Sequence, residues 1–253
     1  MSAPTPAPAE LVALLAALDD ADPSAFTSCP GWTAHHLAAH ICGNYEEIER
    51  HVVGVADDRP VERTRTWEER EPPLRELDHA ALLRRIEERA ASTAAAVDHV
   101  LAEEPTAELA WTGRTVRVSG FPTHLRSEDA LHRWDLTGDD DTGLGLLAQA
   151  DLLVHAVHFV GRPLLRRGLD RGAAAEPFTA RIRSDGPDDV VIEVSDGDVH
   201  LSIAPARGTP TIEGDAAARL LFVWGRKPSP FHRLRVVGDP RAASRAQDLL
   251  SGY

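Results

Sequence analysis

The sequence predicts an α+β protein of two domains, a helical bundle followed by a small domain of mixed strands and helices. Apolar residues recur at intervals of three and four along the first two-thirds of the 253-residue chain, which is typical of amphipathic helices. After Gly168 the pattern changes to short alternating runs separated by Asp-Gly turns, which is typical of β-hairpins. We therefore place the domains at residues 1–168 and 172–253, with a linker at 172–177.

Each element of the first domain rests on its own pattern. The predicted helices cover 10–18, 33–53, 77–101, 123–136 and 143–167. Thr33 offers an N-cap hydroxyl to the second of them. The charged stretch 57–73 is interpreted as an irregular surface loop that carries no substrate-binding residues, and 111–118 as a short strand or hairpin arm.

The second domain is predicted from turn and cap signals. Strands are expected at 178–183, 190–194, 199–203, 209–213 and 234–237. Asp215 is expected to cap a helix that ends near Trp224, and Pro240 lies at the first position of a last helix that ends near Leu250.

Composition narrows the class of protein. A hydrophobic content of 43% and a charged content of 26% are ordinary for a soluble globular protein, and a net charge of −13 argues against nucleic acid or an anionic membrane as a partner. Cys29 and Cys42 form no disulfide framework, and neither needs a catalytic role. No signal peptide or membrane-length apolar run is visible, so we expect a cytoplasmic protein.

A Glu/His pair on the fourth predicted helix indicates a metal site. Glu128 and His132 lie one helical turn apart, about 6 Å between Cβ atoms, so that both can reach one divalent cation. A histidine from the upstream run His35, His36 and His40 would complete a site of three protein ligands with open positions, which is typical of catalytic metals. Helical periodicity favours His40, on the inward stripe, while His36 remains an alternative.

The simpler interpretation is that Glu128 and His132 form a side-chain pair without a metal. Glu-x-x-x-His pairs on helices are common and mostly solvated. Because Leu125, Leu131 and Trp134 surround this pair, we expect it to be buried, and a buried carboxylate needs a partner. That partner is either a metal or an arginine, Arg126 or Arg133.

Two separated motifs resemble a known family. Cys-Pro-Gly-Trp-Thr, followed by a helix with Ala-Ala-His, and the distant Glu-x-x-x-His-Arg-Trp-Asp are similar to the mycothiol-dependent maleylpyruvate isomerase family, part of the DinB-like metalloprotein group. The stretch 211–226 is similar to that family's C-terminal domain. The resemblance implies a DinB-like up-down four-helix bundle that binds a divalent metal through His40, Glu128 and His132, with mycothiol as co-substrate.

The implied chemistry is activation of a thiol. Metal coordination lowers a thiol's pKa, and the thiolate then adds to a small electrophile, as an isomerase or an S-transferase requires. Zn²⁺ is favoured, while Ni²⁺, Fe²⁺ and Mn²⁺ remain possible from residue types. The family places a substrate-facing arginine in its C-terminal domain, which makes Arg226 the candidate catalytic residue; Arg126 and Tyr45 are further candidates.

Three hypotheses follow. The first is a metal- and thiol-dependent isomerase or transferase that acts on a small-molecule electrophile as a monomer or homodimer. The second is a non-catalytic metal- or small-molecule-binding protein, and the third is a structural Glu128–arginine pair without metal.

Overall fold

The computed structural model describes residues 6–59, 62–172, 176–195, 197–226 and 233–250. Eleven α-helices and two β-sheets lie within these ranges, which confirms the predicted α+β class. The chain divides into two compact units, Met1–Gly143 and Leu144–Tyr253. Within the described ranges, no single helix is both long and apolar enough to cross a membrane, although the bent pair Asp141–Leu147 and Ala150–Gly161 passes that test when taken together.

The first unit contains six helices and one hairpin. They are α1 (Ala9–Asp20), α2 (Ala34–Ala56), α3 (Trp67–Arg70), α4 (Pro72–Arg75), α5 (His79–Glu103), β1 (Glu108–Trp111), β2 (Arg114–Arg117) and, after one 3-10 turn (Val118–Gly120), α6 (Phe121–Thr137). The antiparallel β1–β2 pair confirms the predicted hairpin, and Thr112 and Gly113 turn it with positive φ angles of 48° and 81°.

Four long helices of this unit, α1, α2, α5 and α6, pack on one another. Their apolar stripes form the core, as the periodicity predicts: Leu14 and Leu18 of α1, Ile41 and Ile48 of α2 and Ile86 of α5 are fully or almost fully buried. Burial of these stripes stabilises the helices far more than their intrinsic propensities do.

The connection between α2 and α5 differs from the prediction. Instead of an irregular loop at 57–73, the structure has the short helices α3 and α4. Thr66 and Glu69 form a capping box at the start of α3, and Pro72 lies in the first turn of α4. Helices of four residues are too short to produce a periodic pattern, so hydrophobic periodicity does not reveal them, although the cap signals at Thr66 and Pro72 are present in the sequence.

A buried carboxylate holds this connection against α2. The side chain of Glu47 is fully buried, and its oxygens accept hydrogen bonds from the backbone N–H of Arg65, from Arg65 Nε at 2.7 Å and from Arg50 Nη2 at 2.6 Å. Burial opposes ionisation, yet the hydrogen bonds hold the pKa of Glu47 well below its usual range. The segment that leads into α3 is thereby fixed at one point on α2.

The second unit contains a five-stranded sheet and helices. After α7 (Asp141–Leu147), which begins in the first unit, its elements are α8 (Ala150–His155), α9 (Arg162–Asp170), β3 (Phe178–Arg183), β4 (Asp188–Ser195), β5 (Asp198–Pro205), β6 (Ile212–Gly214), α10 (Ala216–Val223), β7 (Leu234–Val236) and α11 (Pro240–Leu250). The strand order is β5-β4-β3-β6-β7, with only β3 and β6 parallel among the described strands. Asp215 caps α10 through a 3.0 Å bond from the Ala218 N–H, as predicted.

The prediction of a single helix at 143–167 is wrong. This segment is three helices, separated by a break after Leu147 and by a π-helical turn at Ala156–Gly161. Pro163, in the first turn of α9, supplies no N–H and so ends the regular hydrogen-bond ladder before it. The predicted domain boundary at 168–172 therefore falls inside the second compact unit, since α8 and α9 belong with the sheet. Residues 173–175 of the predicted linker, and Asp196 of one predicted turn, lie outside the described residues.

Candidate metal centre

Helices α2 and α6 bring His40, Glu128 and His132 together inside the first unit. One ligand atom of each lies within 4.8 Å of the others. Glu128 Oε2 is 3.4 Å from His132 Nε2 and 4.0 Å from His40 Nε2. All three residues are buried, with exposed fractions of 6%, 8% and 3% respectively. The i, i+4 spacing on α6 thus produces the convergence that the sequence predicts; their binding of a metal stays a prediction.

A carboxylate behind His40 sets which ring nitrogen faces the cluster. His40 Nδ1 lies 2.7 Å from Oε1 of Glu71, which is completely buried and also accepts a hydrogen bond from Arg75. An ionised carboxylate only accepts hydrogen bonds, so Nδ1 carries the proton and the Nε2 lone pair is available. Burial lowers the pKa of His40, although Glu71 opposes this, and the ring is therefore a neutral ligand.

On the other side of the cluster, His132 has a nearby carboxylate but, among the described residues, no hydrogen bond of normal geometry at its Nδ1. Its Nδ1 lies 3.0 Å from Oδ2 of the buried Asp135. Burial disfavours its cation, but Asp135, Cys29 and Glu128 together raise the pKa of His132 well above its ordinary value. For Glu128, burial favours the neutral acid, yet the nearby histidines hold its pKa well below its usual range. Both shifts favour an imidazolium–carboxylate pair of His132 and Glu128 when no cation is bound.

The Asn44 side chain tests whether the cluster suits a cation. Its Nδ2 lies 3.1 Å from His40 Nε2 and donates to Glu128 Oε2 at 3.3 Å, and its Oδ1 accepts from Arg70 Nη2. The partly positive NH₂ group thus satisfies two lone pairs where a cation would bind. Two imidazole nitrogens and one carboxylate are a common ligand set for zinc, so these residues fit a divalent ion.

Two tryptophans form an aromatic wall beside the cluster. The Trp32 ring centroid lies 4.8 Å from that of His40 and 6.2 Å from that of His132, and Trp67 packs edge-on against Trp32 at 5.6 Å. Gly31, at φ +80°, makes the turn before Trp32 possible. Trp67 is 41% exposed, so this wall reaches solvent.

The structure distinguishes between the alternatives that the sequence leaves open. His36 completes the cap of α2, where its Nδ1 accepts from the Thr33 N–H, so it serves the helix end rather than the cluster. Arg126 donates to Glu10 and Arg133 donates to Asp140, which are acids other than Glu128. The structural interpretation with an arginine on Glu128 is therefore not supported among the described residues.

Tyr45 and Arg226 were predicted as substrate residues. Tyr45 is buried, and its hydroxyl donates to Asp129 Oδ2 at 2.7 Å. Burial raises the pKa of Asp129 to about 8, with Glu128 adding to the effect. Arg226 is half-buried after α10 in the second unit, and its backbone N–H donates to the Leu221 carbonyl. Its catalytic role stays a prediction.

Sequence reasoning missed three residues around the cluster. Asn44 is four residues after His40 and Asp135 three after His132, so helical spacing could have identified both. Glu71 has no such signal, because it is 31 residues from His40 and lies in the segment interpreted as a featureless loop. A second group that could hold an ion, Cys29, His132 and Asp135, shares His132 with the first.

Comparison with known proteins agrees with these observations. The family described as mycothiol maleylpyruvate isomerase N-terminal domain matches residues 5–137, more than half of the chain. A crystal structure of the mycothiol-dependent maleylpyruvate isomerase superposes with a TM-score of 0.56 at 18% identity, over 86% of this chain and 85% of that one. A histidine-to-alanine mutant of that enzyme superposes with the same TM-score at 17% identity. No curated protein matches the sequence.

Proposed function

The chain belongs to the mycothiol maleylpyruvate isomerase N-terminal domain family, and from this premise we propose that it is a divalent-metal- and thiol-dependent enzyme. The proposed ligands are His40, Glu128 and His132, the proposed metal is Zn²⁺, and the proposed co-substrate is mycothiol. A DinB-like up-down four-helix bundle would carry this site, followed by the family's C-terminal domain. We place the enzyme in the cytoplasm, as a monomer or homodimer without nucleic acid or membrane partners.

One observation supports the proposal most: each histidine has a buried carboxylate beside Nδ1, hydrogen-bonded in the case of His40 and within ion-pair distance in the case of His132. Glu71 lies 2.7 Å from His40 Nδ1, and Asp135 lies 3.0 Å from His132 Nδ1. Histidines that bind metals in proteins usually have such a partner, which fixes the ring and makes Nε2 a better ligand. One imidazole oriented by a hydrogen bond and a second beside a carboxylate, both with Nε2 near Glu128, are difficult to explain as ordinary packing.

The residues of this site would bind, orient and protect a thiol. When bound, a divalent cation supplies the positive charge that keeps a thiol ionised at neutral pH. Glu71 orients the His40 ring through its hydrogen bond, and Asp135 lies within ion-pair distance of the His132 ring. The rings of Trp32 and Trp67 restrict water on one side of the cluster, which strengthens electrostatic interactions there.

The proposed reaction is attack by the thiolate on a small electrophile. Reversible addition to a conjugated double bond would permit rotation and give an isomerase, whereas displacement of a leaving group would give an S-transferase. Arg226 remains the proposed substrate-binding residue, since a guanidinium binds a carboxylate through two hydrogen bonds.

The deciding experiment measures metal and thiol dependence together. Protein purified without chelator should contain about one divalent cation per chain. Maleylpyruvate and related conjugated acids should react only when both the cation and mycothiol are present. A bound cation without thiol-dependent turnover of any such substrate would favour the non-catalytic binding protein. The absence of a cation would refute the enzyme and the metal-binding form of the alternative.

Replacing Glu71 with glutamine is expected to weaken cation binding by about 10- to 100-fold, because a neutral amide holds the His40 Nδ1–H less firmly than a carboxylate does. Competition with a chromophoric chelator measures this affinity directly. Glu69→Gln is the matched control: Glu69 lies two residues upstream on α3, and glutamine also completes a capping box. Equal affinities for both variants would contradict the role of Glu71.

Cation binding is expected to strengthen as pH rises. Because Asp135, Cys29 and Glu128 raise the pKa of His132, a proton must leave that ring before Nε2 can bind a cation. Below the pKa of His132, affinity should fall about tenfold for each pH unit. Calorimetry at neutral pH in buffers of different ionisation enthalpy should detect about one proton released per cation. Binding without proton release would contradict a protonated His132 in the cation-free protein and, with it, this pH dependence.

A further inference from the structure

A second concave site lies in the first unit, away from the metal cluster. It is a cavity of about 800 Å³ between α1, α5 and the start of α6, and none of the three candidate ligands lines it. This volume is within the range of sites that hold small molecules, about 300–1,000 Å³. Its walls are mostly apolar, and nothing in the proposed thiol chemistry uses it.

The sequence explains why this space is not filled. On the α5 side the wall is formed by Ala90, Ala91 and Ala94, whose side chains end at Cβ. The opposite wall carries Leu11 and Leu15 of α1. A run of alanines facing leucines therefore leaves an apolar cavity where larger side chains would close the packing.

The polar groups on the inner wall are already satisfied. The Tyr45 hydroxyl donates to Asp129, and the Thr93 hydroxyl donates to the Tyr45 carbonyl at 3.2 Å. Both residues are buried. A ligand that enters would therefore meet mainly apolar surface, so its body should be apolar as well.

Among the charged residues that line the cavity, carboxylates outnumber guanidinium groups. Asp19, Glu87 and Asp98 contribute three carboxylates, against the guanidinium groups of Arg84 and Arg126. Arg126 is held by the buried carboxylate of Glu10 through two hydrogen bonds, at 3.0 and 2.8 Å, and is neutralised by it. The described residues of the lining therefore carry a net negative charge, on a chain whose overall charge is −13.

From this combination we infer that the cavity binds a lipophilic amine, a small molecule with an apolar body and one ammonium group. The body lies between the alanines of α5 and the leucines of α1. The ammonium group stays near solvent, beside the carboxylate of Asp98 on α5. Opposite charge at such a partly solvated position contributes selectivity more than affinity.

The test compares three probes with the same ten-carbon chain: decylammonium, decanol and decanoate, each titrated into the full chain by calorimetry below its micelle concentration. Decylammonium should bind best and decanoate worst, with a difference of about three- to tenfold between these two. Asp98→Asn should reduce the advantage of the amine over the alcohol and leave decanol binding unchanged.

A variant that fills the cavity provides the second part of the test. Ala94→Phe should weaken all three probes by more than about tenfold, because the ring would occupy the space of the ligand chain. Ala95→Phe is the matched control: Ala95 is the next residue of α5, is exposed and does not line the cavity. Unfolding midpoints should show that both variants are folded.

Three results would overturn the inference. Decanoate binding as tightly as decylammonium would remove the charge argument. Equal binding by Ala94→Phe and Ala95→Phe would show that the probes bind elsewhere. A dimer in sedimentation that Ala94→Phe alone dissociates would make this groove an interface between two copies of the chain.

Discussion

Replacing Glu128 with glutamine is expected to remove the bound divalent cation, with a loss of affinity greater than about 100-fold. Glu128 is the only carboxylate of the proposed ligand set and lies within reach of His40, His132 and His124. Without the charge of Glu128, the two imidazoles would hold the ion alone. A residue that only supports a ligand typically changes metal affinity by about 10- to 100-fold, and loss of a direct ligand should have a larger effect. Metal analysis after dialysis and chelator competition both measure this loss.

Two variants make this prediction specific. Glu49→Gln removes a carboxylate from α2 that accepts a hydrogen bond from Arg89, and it should leave cation binding unchanged. If Glu128→Gln kept one cation per chain at the original affinity, the ligand set would be wrong. Cys29→Ser would then decide whether the ion binds instead to the group of Cys29, His132 and Asp135.

Replacing Glu47 with glutamine is expected to lower the free energy of unfolding by about 2–4 kcal/mol. Removing one partner of a buried ion pair typically costs about 3–5 kcal/mol, and we reduce this figure because Arg65 is 40% exposed and Arg50 23% exposed at their side chains. The amide would also have to replace bonds that a carboxylate accepts from Arg50 and Arg65. Urea unfolding followed by circular dichroism measures the change.

Glu49→Gln again serves as the control, because its pair with Arg89 is partly solvated and should contribute less than about 1 kcal/mol. Glu47→Gln should in addition weaken cation binding, since the connection that carries Glu71 is attached to α2 through Glu47. A variant as stable as the Glu49 control would show that these hydrogen bonds do not hold the connection.

The long helices and the Glu128–His132 pair were predictable because their information is local. Helical spacing places residues i and i+4 on one face, so the pair on α6 converges wherever the helix packs. The same reasoning would have found Asn44 beside His40. It favoured His40 but did not exclude His36, because only the formed N-terminus of α2 shows that His36 is used as a cap.

Local sequence patterns did not predict the structure where an element is short or charged, or where the backbone departs from a regular helix. Helices α3 and α4 have four residues each, and charged residues such as Glu69 and Arg70 resemble a solvated loop in the sequence. Pro163 was visible in the sequence, but its effect on the preceding turn depends on the geometry of the packed helix.

The sequence by itself determined the α+β class, the apolar stripes and one side of the candidate metal centre, since each follows from the helical or strand repeat within a single element. Only the tertiary structure decided that Glu71 lies behind His40, that Glu47 anchors the connection between α2 and α5, and that alanines on α5 face a cavity. These contacts join residues that are far apart in the chain, and their proximity depends on how separate elements pack to bury their apolar faces.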